Sequence, residues 1–294
     1  MILKACPRIS VLTVLLAAVA LAPAWGDESA PARKDGEVTA SDGAKIHYVE
    51  AGQGSSLVLI PGWTLSAEIW EPQIAHFSKS HRVVAFDPRG QGQSSKPAEG
   101  SFPATRARDI ASVLDQLHLA PATLVCWSMA VAECVTYVDL FGTDKISGLV
   151  LVDGFAGDAL DPEKAVGLLR FIGQFQKDRR SATDGFIRSM YKKPQSEDYL
   201  KRMIADSLET PTDTAVALFI GTLNQDNSKS LAKIDRPTLI TVTKSPFTDN
   251  YKKMSEAIRG SKLEVFEAGH ALFVDDADRF NKVLEDFLGT LGSP

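Results

Sequence analysis

The sequence predicts an α/β protein, a mostly parallel, doubly wound sheet with a helical insertion. Three observations carry this. Short strand-like runs alternate with helical patterns from about residue 37 onward. Two of the early runs, "SLVLIPG" and "HRVVAFDPRG", are continuously apolar and end in Pro/Gly turns, as strands buried on both faces do. Between Gly154 and Lys233 the strand-like runs stop and only helical patterns remain.

Taken in order, "KIHYVEAG" reads as a half-buried strand with Ile46 and Tyr48 on one face. A helix is expected near Ala67 to Ser78, between the two buried runs. "ATRARDIASVLDQL" places Ile110, Val113, Leu114 and Leu117 at helical spacing. The alternation continues through "ATLVCW", a helix from Met129, "ISGLVLVDG", "PTLITVT" and "KLEVFEAG". A final amphipathic helix carries Phe280, Val283, Leu284 and Phe287. Right-handed crossovers would bring the C-terminal ends of these strands to one sheet edge, where chemistry is to be sought. The interrupting stretch, with "AVGLLRFIGQF", "DGFIRSMY", "EDYLKRMIADSL" and "TAVALFIGTL", reads as a cap over that edge. The expected division is a core of residues 37–153 and 234–294 and a cap of 154–233.

The N-terminus reads as an export signal. Lys4 and Arg8 precede the apolar run Val11–Ala22, and Ala22-Pro23-Ala24 is an A-x-A-like cleavage site. That run is too short to span a bilayer, so residues 1–24 are expected to be removed, with 25–36 a polar linker. The mature protein is then expected to be periplasmic or secreted, without a membrane span. Cleavage removes Cys6 and leaves Cys126 and Cys134, whose apolar surroundings favour buried thiols over a disulfide. A net charge of −5 argues against a nucleic-acid partner. No clustered His/Cys/Glu spacing calls for a metal, and "RGQGQS" lacks the helix start of a phosphate-binding loop. No cofactor is expected.

The stretch "LVCWSMAVAE" holds the candidate nucleophile. An apolar strand stops at Ser128 and a helix opens at once, so Ser128 sits at a sharp bend that exposes its hydroxyl at the sheet edge. The neighbours two residues to either side must be small, and they are Cys126 and Ala130. A helix-capping serine would look similar taken alone. The histidines separate the two readings. Among the five, His47, His76, His81 and His118 occupy strand or helix-end positions, whereas His270 follows the last strand in "EAGHALFVDDADRF". A strand-edge serine and a late strand-edge histidine form a nucleophile and its base.

"LIPGW", "FDPRGQGQS", "CWSMA", "LVLVDG" and "GHALFVDDADRF", in this order, resemble the α/β-hydrolase fold, and most of all its capped esterase and non-haem haloperoxidase-like members. The resemblance implies that Ser128 attacks a substrate carbonyl and His270 takes its proton. It also implies an oxyanion hole from the backbone N–H groups of Trp63 and Met129, each donor worth about 3–4 kcal/mol. The acid departs from the family pattern: "TVTKSPFTDNY" has Thr243, Lys244, Ser245 and Pro246 where an aspartate usually stands. Asp153, at the end of the strand after the elbow helix, is the first choice, and Asp249 the alternative. Asp87 is expected to shape its loop with Arg89, and Asp275 and Asp276 to begin the last helix. Serine at 128 argues against dehalogenase or epoxide-hydrolase chemistry, which needs a carboxylate nucleophile.

The expected function is therefore an exported serine hydrolase acting on a carboxylic ester or related small acyl substrate through an acyl-enzyme. The alternatives are a small-molecule binding protein that kept the fold and lost turnover, and a cofactor-free perhydrolase. Leu168, Leu169, Phe171, Ile172 and Phe175 of the cap point either to an apolar substrate group or to packing of the cap.

Overall fold

The computed structural model describes residues 32–157, 162–245 and 248–292. Eight strands form one sheet: β1 Lys34–Thr39, β2 Lys45–Ala51, β3 Ser56–Ile60, β4 Arg82–Phe86, β5 Ala122–Trp127, β6 Ile146–Val152, β7 Thr238–Thr243 and β8 Lys262–Phe266. Their spatial order is β1-β2-β4-β3-β5-β6-β7-β8. The β1–β2 and β2–β4 pairs are antiparallel and all the others parallel. β3 and β4 are buried beyond their first residue, which explains why those runs read as unbroken apolar sequence, and every residue of β5 and β7 is buried.

Helices cover both faces. On one, Leu124, Cys126, Leu149, Leu151, Ile240 and Val242 pack against α2 (Pro103–Gln116), α3 (Met129–Phe141) and α9 (Thr248–Ala257). On the other, Val125, Trp127, Val150, Val152 and Leu239 pack against α1 (Glu71–Phe77), α10 (Leu272–Asp275) and α11 (Ala277–Gly289). Adjacent strand residues alternate between two cores, and this makes the sheet doubly wound.

Two expectations need correction. Strand β1 begins at Lys34, inside the stretch read as linker, and pairs with β2 along its length. It is an edge strand in which only Val38 is fully buried, so its charged sequence carries little strand signal. Second, Cys126 and Cys134 form a disulfide. The elbow folds α3 back over β5, so residues eight apart in sequence face each other with Cα atoms 6.6 Å apart, within bonding range. Both are fully buried, as expected, but they are not free thiols. The signal segment 1–24, and the linker as far as residue 31, lie outside the described residues. Among the described residues no helix is long and apolar enough to cross a membrane.

Among the described residues between β6 and β7 lie five helices: α4 Pro162–Lys177, α5 Arg179–Ser189, α6 Glu197–Glu209, α7 Thr212–Leu223 and α8 Ser228–Leu231. They dock on the core at the turn after β3, at the loop after β8 and along α3, where Gln225 Nε2 donates to Thr136 Oγ1 and Ser230 Oγ to Asp139 Oδ1 at 2.9 Å. At the turn after β3, the Trp63 indole N–H donates to Ala215 O at 2.8 Å, and the Thr64 and Ser207 hydroxyls meet at 2.8 Å. Beside them the Ser66 amide donates to Asp206 Oδ2 at 2.8 Å. At the loop after β8, the Ala271 amide donates to Met190 O at 3.1 Å, and that of Lys192 to Asp275 Oδ2 at 2.6 Å.

Burial pushes the Asp206 carboxyl up to about 7, against the pull of the Ser66 amide and with help from the charges of Asp87 and Glu68. Its folded-state value lies above its unfolded one, so ionisation favours unfolding. Stability from this group is complete below about pH 4 and falls as pH rises to about 7, beyond which it is constant. Asp206→Asn keeps an acceptor for Ser66 without the ionisation. Thermal unfolding across pH should show the variant gaining on the wild type between these limits. A difference in Tm independent of pH would refute this.

Candidate active site

The site forms where β5 and β6 end side by side, with Trp127 opposite Val152 in register. Ser128 caps β5 with φ 57° and ψ −119°, a left-handed conformation that an L side chain adopts only when its surroundings impose it. Its amide donates to Val152 O and its carbonyl accepts from the Val131 amide, so both adjoining peptides are fixed. Two glycines make room. A Cβ at Gly62 would lie 2.8 Å from Ser128 Cβ, and one at Gly154 would lie 2.1 Å from Ser128 O. The bend thus requires glycine on neighbouring segments, while Cys126, two residues before the serine, faces α3 and is bonded to Cys134 there.

His270 lies between the serine and an aspartate. Its Nε2 is 2.8 Å from Ser128 Oγ and its Nδ1 is 2.7 Å from Asp153 Oδ2. A carboxylate can only accept, so Nδ1 carries the proton and Nε2 is the acceptor for the serine hydroxyl. Trp127 holds the histidine from behind: its indole N–H donates to His270 O at 3.0 Å, with ring centroids 5.2 Å apart. The aspartate side chain is buried and the histidine about a quarter exposed, so the base reaches solvent while the charge that orients it does not.

Asp153 also has φ in the left-handed region, at 41°, which turns its side chain back toward β7. There the Thr243 amide donates to Oδ1 at 2.8 Å, and the Thr243 hydroxyl lies 3.1 and 3.2 Å from the two carboxylate oxygens. Burial foremost, then the negative charge of the same carboxylate, raises the phenol of Tyr251 on α9 above the ordinary range. The position that usually carries the acid thus supplies donors to an acid on the neighbouring strand. Asp249 stands apart: its side chain is 83% exposed and pairs with Lys252 at 3.0 Å. The structure therefore brings Asp153 to His270 and leaves the alternative acid outside the site.

The amides of Trp63, in the turn after β3, and of Met129, the first residue of α3, flank the serine. Neither donates to another group among the described residues. Asp87 shapes its loop as expected, accepting the amides of Ala67 and Gln93 at 2.8 Å each and lying 2.9 Å from His47 Nδ1. Asp275 departs from expectation. Its carboxylate accepts the Gly269 amide at 2.8 Å and the Lys192 amide, so it fastens the loop before His270 to the cap rather than opening a helix. The sequence carries no signal for this, because an aspartate beside a helix start fits capping equally well.

Above the site Trp63 packs against Phe171, Phe175, Phe186 and Phe219, with ring centroids 4.9–6.0 Å apart. Phe175 and Ile172 are buried and hold the cap together, whereas Leu169 is exposed. Leu168, Phe171, Phe186 and Phe219 line a cleft of about 930 Å³ among α4, α5 and α7. Among the described residues no group of three or more His, Cys, Asp or Glu could hold a metal.

This arrangement is that of an α/β-hydrolase, and a family model described as alpha/beta hydrolase fold matches residues 56–277. The chain belongs to that family and is an enzyme of it. It is 29% identical to the non-heme chloroperoxidase CPO-A1 of Kitasatospora aureofaciens, over 85% of this chain and 98% of that protein. It is 27% identical to the bifunctional esterase/perhydrolase DCH of Acinetobacter calcoaceticus, over 86% and 99%. Among solved structures it is similar to an esterase from Exiguobacterium antarcticum, with a TM-score of 0.82 and 28% identity over 87% of this chain and 100% of the other. The bromoperoxidase of Bacillus anthracis gives the same TM-score, identity and coverage.

The geometry sets Asp153, and not Asp249, against His270. Asp153→Asn should lower kcat by about 10³–10⁴-fold, because the amide presents the wrong partner to Nδ1. Asp249→Asn should leave kcat within about twofold, as for an ordinary surface change. Steady-state kinetics on folded variants decides, and the reverse pattern would overturn the assignment.

Proposed function

We propose that this enzyme is an exported serine hydrolase that cleaves a carboxylic ester or related acyl compound through an acyl-enzyme. The observation that carries it is the continuous hydrogen-bonded chain from Ser128 Oγ through His270 to Asp153 Oδ2. Ser128 Oγ attacks the carbonyl carbon while its proton passes to His270 Nε2 and the carbonyl electrons move onto oxygen. The amides of Trp63 and Met129 receive that oxyanion. Collapse expels the alcohol, which takes the proton from His270. Water then attacks the acyl-enzyme by the same route and releases the carboxylic acid.

The aromatic cluster of Phe171, Phe175, Phe186 and Phe219 packed on Trp63, beside the serine, favours substrates with an apolar acyl or alcohol group. Export rests on the N-terminal pattern of Lys4, Arg8, the apolar run and Ala22-Pro23-Ala24. A second reading, perhydrolysis, is favoured by relatives named as a non-heme chloroperoxidase and an esterase/perhydrolase. Peroxide would then replace water in the second half-reaction and give a peracid from the same acyl-enzyme. Ester turnover with and without peroxide separates the two.

A fluorophosphonate should add one phosphonyl group to the wild type, and peptide mapping should place it on Ser128. Ser128→Ala should lose the label and at least about 10⁴-fold in kcat while still binding substrate. A folded wild type that takes no label would instead support a binding protein on this fold.

A further inference from the structure

We propose that Gln91 is the positioning residue for the Trp63 oxyanion donor, and that Arg106 and Glu133 hold it in place. The proposal rests on the reading of Trp63 as that donor. Gln91 lies in the loop after β4 and is fully buried. Its side-chain amide reaches into the turn after β3 and is used on both sides. Nε2 donates to Gly62 O at 2.9 Å and to Leu65 O, while Oε1 accepts the Thr64 amide at 3.2 Å.

The geometry of the peptide unit gives the bond to Gly62 its consequence. Gly62 O and the Trp63 N–H belong to one planar trans peptide and point in opposite directions. Fixing the carbonyl on Gln91 therefore aims the Trp63 N–H the other way. Gly62 itself lies against Ser128. A donor to that carbonyl also polarises the peptide, which strengthens its N–H as a donor. The turn needs such support, because Thr64 is β-branched, fully buried, and held at φ 63°.

Gln91 is held in turn. Arg106 of α2 donates to Gln91 Oε1 at 2.7 Å and to Arg89 O at 2.7 Å, and pairs with Glu133 at 2.9 Å. Arg106 and Glu133 are both buried. Glu133 sits on α3, four residues after Met129, the other oxyanion donor. The sequence Glu133–Arg106–Gln91–Gly62 therefore ties together the two elements that carry the donors and fixes their spacing. All the groups that Gln91 binds on the other side, the Gly62 and Leu65 carbonyls and the Thr64 amide, belong to the turn that carries Trp63.

The test uses Gln91→Glu and Gln91→Met in the full-length enzyme. The first keeps an acceptor for Arg106 and loses both donors, and the second keeps the volume alone. Active sites are titrated with the fluorophosphonate so that misfolded protein does not count. Per titrated site, kcat should fall about 10- to 100-fold, part of the loss seen when an oxyanion donor is removed outright. KM should stay within about threefold, and affinity for a trifluoromethyl ketone, which forms an oxyanion on Ser128, should fall in parallel with kcat. Unchanged kcat per site with only a lower Tm would overturn the proposal and leave the hydrolase reading intact. If both variants fail to fold, Glu133→Gln decides: it should show a smaller fall in kcat at unchanged KM, and no change per site would again overturn the proposal. A wild type that fails to label would sink the hydrolase reading itself.

Discussion

The site depends on one shared ring. His270 must lie within hydrogen-bond reach of a serine on one strand end and an aspartate on the next, and it does so at 2.8 and 2.7 Å. That condition fixes much else. β5 and β6 must end in register, and both Ser128 and Asp153 must take left-handed backbone angles so that their side chains converge. Gly62 and Gly154 must lack side chains for the segments beside the serine to approach. These conformations cost of order 1–3 kcal/mol each and persist only where packing over-determines them. The fully buried strands and the Cys126–Cys134 link across the elbow supply that packing.

The cap completes the site as well as covering it. Two of its contact regions are the loops that chemistry needs, the turn carrying Trp63 and the loop carrying His270. Ala215, Ser207 and Asp206 hold the first, and Met190 and Lys192 hold the second. Each hydrogen bond contributes about 1 kcal/mol net.

Much of this was legible in the sequence, because parallel strands and an elbow leave strong local patterns. Unbroken apolar runs marked β3 and β4, and Ser128 and His270 were placed by where they fall relative to strands. Asp153 could be preferred over Asp249 since it ends a buried strand, and the exposure of Asp249 agrees with that choice. What was hidden depends on contacts distant in sequence or on ambiguous residue types. The disulfide was missed because apolar surroundings suit a thiol and a disulfide alike. The first half of β1 reads as linker because an edge strand buries too little to need apolar residues. Asp275 and Gln91 gave no signal, since their roles arise from backbone groups far away in sequence that only the fold brings to them.

The central claim is that the Asp153 carboxylate holds the proton on His270 Nδ1, and proton NMR tests it most directly. A hydrogen bond of this kind shifts its proton far downfield, so the wild-type enzyme should show such a resonance and Asp153→Asn should lose it. A downfield resonance assigned to His270 that survives Asp153→Asn would contradict the account, and another acid would have to complete the site.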